Sequence, residues 1–102
     1  MTKPRIPTSE ENKLHALTTK VAELLDYTGR AITTGNDQLV EEYTAAYKRT
    51  RELIHSLGLV PNNLRRYDEM FSGLPWRMYG YKLPELEPVK ETGERIWDKN
   101  FQ

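Results

Sequence analysis

The chain has no cysteine. That excludes disulfides, thiolate nucleophiles and cysteine-based zinc sites. It also lacks a long hydrophobic run: nothing approaches the ~18 apolar residues that a membrane span needs. Met1–Pro7 carries Lys3 and Arg5 with no apolar stretch behind them, so it does not read as a secretion signal. A soluble, cytoplasmic protein without membrane association is the expectation. Net charge is absent too, with 15 basic and 15 acidic side chains. A neutral total argues against indiscriminate coating of nucleic acid. Catalytic signatures are missing as well. There is no G-x-G-x-x-G, P-loop, G-x-S-x-G or H-E-x-x-H. No Asp or Glu falls on an apolar stripe that would perturb its ionisation. The expectation is a non-enzyme with no catalytic residue, no cofactor and no metal.

What is present is helical periodicity. The 102 residues suit a single domain. Thr8 and Glu11 have capping-box spacing after Pro7. Leu14, Leu17, Val21, Leu24, Thr28 and Ala31 then follow at alternating intervals of three and four, widened by Leu25 and Ile32. At ~100° per residue these share one stripe, which predicts a helix over residues 8–34. Gly35 supplies a turn, and Asn36 and Asp37 are N-cap candidates for a second helix over 37–57. There Leu39, Tyr43, Ala46, Thr50, Leu53 and Leu57 form the stripe, with Val40, Tyr47 and Ile54 beside it. Gly58 can take the left-handed position after the helix, Leu59 can pack back on Ile54, and Pro61 prevents continuation. A short turn between two long helices forces antiparallel packing.

The remainder is shorter in element and richer in aromatics. Asn62 or Asn63 can cap a third helix over 62–72, with Leu64, Tyr67 and Phe71 on its apolar face. Residues 74–102 form a proline-rich, extended arm with room for a short helix over 89–99, anchored by Ile96, Trp97 and Phe101. Six of the ten aromatics lie after residue 70, a load that disordered tails do not carry. The fold class expected is therefore all-α: a long antiparallel two-helix hairpin, a short third helix and an aromatic arm. Two helices alone leave each stripe partly uncovered. Either the arm folds back over the hairpin, or a second chain covers it. The expectation is a homo-oligomer, dimerising into a four-helix bundle through Leu14, Leu17, Val21, Leu24, Tyr43, Tyr47 and Leu53. Tyr27 and Tyr43 are candidates for the remaining apolar edge.

His15 and His55 are the two histidines, with Glu11 four residues before the first and Glu52 three before the second. Glu-x-x-His is a di-iron bundle spacing, but all four positions lie off the apolar stripes. An inward metal cage is not expected.

Charge is unevenly distributed. Residues 48–82 carry seven basic side chains (Lys48, Arg49, Arg51, Arg65, Arg66, Arg77, Lys82) against three acidic ones. A local basic patch can dock a phosphate backbone. Arg51 to Tyr67 can also be read as a helix-turn-helix, with Gly58 in the turn and Leu53, Leu57, Leu59, Leu64 and Tyr67 at its apolar offsets. The runs Leu57-Gly58-Leu59-Val60-Pro61, Leu64-Arg65-Arg66-Tyr67-Asp68-Glu69 and Gly80-Tyr81-Lys82-Leu83 resemble the helix-turn-helix and first wing of MerR-type transcription regulators. The similarity covers about 30 residues of the chain. It departs from that family in the long preceding hairpin and in Gly73-Leu74-Pro75-Trp76 at the wing entry. The resemblance implies that Asn62, Asn63 and Arg65 face the major groove of duplex DNA. It implies that Arg66, Tyr67, Arg77, Tyr81 and Lys82 contact phosphates. A small phage or plasmid regulator, or a DNA-packaging component, fits this reading. The competing one is a subunit of a larger protein assembly that touches no nucleic acid.

Overall fold

The computed structural model describes residues 9–58, 61 and 63–89. Thr8, Leu59, Asn62 and the proposed short helix at 89–99 beyond Val89 lie outside them. Among the described residues the chain is all-helical, with no strand. Helix α1 spans Ser9–Thr34, α2 spans Asp37–Ser56 and α3 spans Leu64–Ser72. A single 3-10 turn at Arg77–Tyr79 follows.

The two long helices pack against each other across the Gly35–Asn36 turn. Local chemistry sets that turn. Gly35 N–H donates to the Ile32 carbonyl, and the Asn36 side chain accepts from Leu39 N–H at 3.1 Å. Asp37 stands in the first turn of α2, where a negative charge suits the helix dipole. On α1, the stripe positions Leu14, Val21, Leu24, Thr28 and Ala31 are buried as the periodicity predicts. Thr28 is accommodated because its hydroxyl donates to the Leu24 carbonyl at 2.6 Å. At the end of α2, Gly58 adopts φ +73° with open space around its Cα. A side chain there would be strained by the backbone alone.

The stripe on α2 is rotated from the sequence expectation. Val40, Tyr47, Thr50, Arg51 and Ile54 are the buried positions, so Thr50 keeps its place on the stripe, whereas Leu53 is 48% exposed. The cause is tertiary. α3 and the segment after it approach α2 on the Val40–Tyr47–Ile54 side and draw the core there. Tyr47 stacks on Phe71 with ring centroids 4.0 Å apart, and Phe71 meets Trp76 edge-on at 5.1 Å. The Trp76 indole N–H donates to the Phe71 carbonyl at 2.8 Å, so its one polar atom is satisfied inside the core.

These contacts fix the path of the second half. Asp68 meets Arg51, Phe71 meets Tyr47, and Tyr81 meets Asp37. The chain therefore runs back along α2 from its end towards its start. α3 packs on the hairpin through Leu64, Asp68 and Phe71. At Gly80 the backbone turns left-handed (φ +85°) and reverses. Residues 81–89 then travel up α2 as an extended strap. Tyr81 is tied to Asp37 and the Glu87 carbonyl to Arg51. Fourteen helical residues rise about 21 Å, and six extended residues reach about 20 Å. The lengths match.

Most residues of the expected oligomer interface are covered within the single chain, whereas Leu53 stays exposed. Leu14, Val21, Leu24 and Tyr47 are each at most 4% exposed within the single chain. Leu17 and Tyr43 are half-buried against the same core. They form the protomer's own core because α3 and the strap supply the missing cover. Tyr27 and Tyr43 do form an outer edge, with centroids 5.8 Å apart and Tyr27 42% exposed.

Candidate nucleic-acid interface

α3 presents two chemically different sides. Leu64 and Phe71 are fully buried, and Asp68 sits on the same side. Asn63, Arg65, Arg66 and Glu69 are exposed. The inner side is held by a polar node as well as by packing. Arg51 Nε donates to Asp68 Oδ1 at 2.9 Å and Nη2 to Oδ2 at 2.8 Å, a two-pronged pairing. Nη2 also donates to the Glu87 backbone carbonyl. Tyr47 Oη donates to Asp68 Oδ1 at 2.8 Å. The Arg51 side chain is 4% exposed and that of Asp68 14%. One guanidinium thus joins α2, α3 and the strap. Burial raises the Tyr47 hydroxyl far above the ordinary tyrosine value, and the Asp68 charge and hydrogen bond add to that. Tyr47 therefore stays a donor to Asp68. At the exposed start of the strap, the hydrogen bond to Asp37 likewise raises the Tyr81 hydroxyl.

The node changes the charge seen from outside. Arg51 belongs to the core and is not part of a basic surface. Asp68 is paired with Arg51 on the inner side of α3. Its pairing was missed in the sequence. The available signal was position: Arg51 falls between Tyr47 and Ile54 on the buried face of α2, and Asp68 between Leu64 and Phe71 on that of α3.

The remaining residues of the expected DNA surface divide into two groups. Asn63, Arg65 and Arg66 stand at the start of α3, beyond the Arg51 level of α2. Arg77 and Lys82 are exposed but flank Trp76 and Tyr81, at the Asp37 level. About 21 Å of α2 separates those levels. The structure does not bring Lys82 beside Arg65 and Arg66. Tyr67 is half-buried and lines a groove between α1 and α3. Tyr81 spends its hydroxyl on Asp37. Asn62 lies outside the described residues.

Other chemistry has little footing here. Among the described residues, no three His, Cys, Asp or Glu side chains are grouped to hold a metal ion. His15 and Glu52 are exposed, on separate helices. No described helix is long and apolar enough to cross a membrane. A cleft of about 570 Å³ lies between α2 and the strap, lined by Val40, Thr44, Trp76 and Leu83 and rimmed by both acidic and basic side chains. The Thr44 hydroxyl is buried there without a partner. Comparison with family models, curated proteins and solved structures finds no match.

Proposed function

We propose that this chain is a non-enzymatic, cytoplasmic DNA-handling protein that docks duplex DNA with the exposed side of α3. The observation that supports the reading most is the division of α3. Arg65, Arg66 and Asn63 are exposed, while Leu64, Asp68 and Phe71 clamp the other side to the hairpin. A recognition helix needs that combination of rigid mounting and solvent-exposed polar side chains. Arg and Asn can pair with guanine and adenine edges, and arginine also neutralises phosphate. The resemblance of residues 51–83 to MerR-type regulators points the same way. Arg77 and Lys82 form a separate basic group under this reading, reaching a different stretch of backbone.

The test is a duplex-DNA mobility shift at roughly 50 mM salt, repeated as salt is raised. The wild-type chain is expected to shift DNA and to lose affinity steeply with salt. R65A/R66A should abolish most of the shift while far-ultraviolet dichroism stays unchanged, since both side chains are exposed. A shift that the double variant leaves intact, or no shift at all, overturns the proposal. The second reading, a protein-assembly subunit, is favoured by one observation: Met78 is 82% exposed beside Tyr79 at 46%.

A further inference from the structure

A groove of about 620 Å³ runs between α1 and α3. Leu25 and Leu74 line its apolar floor, and Met70 is 52% exposed at its side. Met70 is out of place on a helix whose other apolar side chains, Leu64, Tyr67 and Phe71, are wholly or partly buried. Asp26 and Arg30 also line the groove. They sit one helical turn apart and pair within α1 at 3.3 Å, at 59% and 74% side-chain exposure.

We propose that this groove is the interface between two copies of the chain, with α1 packed antiparallel on its counterpart about a two-fold axis midway between Asp26 and Arg30. The patch is self-complementary in charge. A two-fold interface apposes a patch to itself, so each charge must find its opposite at the mirrored position. An antiparallel α1 pair centred between Asp26 and Arg30 brings each Asp26 to the other copy's Arg30. The exposed intrahelical pair becomes a four-charge network. The apolar order along the groove also fits. Met70 lies towards the Leu25 end and Leu74 towards the opposite end, so the axis carries each Met70 towards the other copy's Leu74. The burial of Met70 and of the exposed part of Leu74 supplies affinity, and the charges set direction and register. This interface borders the exposed side of α3, since Met70 lies one helical turn from Arg66, but it does not rest on the DNA reading.

Solution mass as a function of concentration, by light scattering or sedimentation, tests it. The wild type is expected to dimerise. D26R and R30D each put like charges opposite one another across the axis, and each should weaken dimerisation by at least about tenfold. An equimolar mixture of the two variants restores opposite charges at both contacts and should recover the dimer. M70E should weaken it without changing helicity. A wild type that stays monomeric overturns the proposal. So does a dimer whose strength ignores the sign of residues 26 and 30. DNA binding is read separately by the shift assay, so the two proposals fail independently.

Discussion

The hairpin and the α3–strap half are built on different principles. The hairpin is specified locally. Its stripe repeats every three or four residues, its turn has its own glycine and cap, and its helices meet as neighbours in sequence. The second half has a 9-residue helix, a 3-10 turn and an extended strap. A helix that short is marginal alone, and the strap has no ladder. Its order comes from side chains planted in the hairpin: Phe71 on Tyr47, Asp68 on Arg51, and the Glu87 carbonyl on the same arginine. Periodic burial therefore shapes the first half, and a few long-range anchors shape the second.

The sharpest way to break that contrast is Arg51→Ala. It strands Asp68 and the Glu87 carbonyl at once. Breaking a mostly buried ion pair from one side costs about 3–5 kcal/mol, a large part of the ~5–15 kcal/mol that stabilises a typical domain. Urea unfolding should show the loss. Hydrogen exchange should show α3 and strap amides losing protection before those of α1 and α2. Equal loss in all three helices would mean that the halves are one cooperative unit. Gly80→Ala should come next. It forces a side chain into φ +85° with no atom nearby to clash, so the cost is backbone strain of roughly 1–2 kcal/mol. The loss should concentrate in the strap. Smallest is Asn36→Ala, which removes the α2 cap at about 1 kcal/mol. Its effect should appear in the first turn of α2 and spare α3. Thermal unfolding and exchange measure both.

The same contrast explains how much the sequence disclosed. The hairpin was readable because Leu14, Val21, Leu24 and Ala31 repeat at helical spacing and Asn36 and Gly58 punctuate it. The rotation of the α2 stripe from Leu53 to Val40, Tyr47 and Ile54 was not, because three-four spacing defines a broad face and the neighbour selects its centre. The Arg51–Asp68 pair was hidden by its type. An arginine in a basic stretch reads as solvated, and only the fold places a carboxylate 17 residues later opposite it. For the proposed DNA surface, the sequence offered Asn63, Arg65 and Arg66, and all three are exposed. It grouped them with Arg77 and Lys82 because linear order does not reveal that the chain descends the whole length of α2 between them.

Arg51 also ties the fold to the direction of synthesis. It is made 17 residues ahead of Asp68 and 36 ahead of Glu87. Until both exist, α2 carries a bare cation on the face it must finally dry. The nascent hairpin can coil early, but its inner face stays wetted there until the counter-ion and the carbonyl arrive. The last-made part of the described chain thereby decides when the first-made part becomes a core.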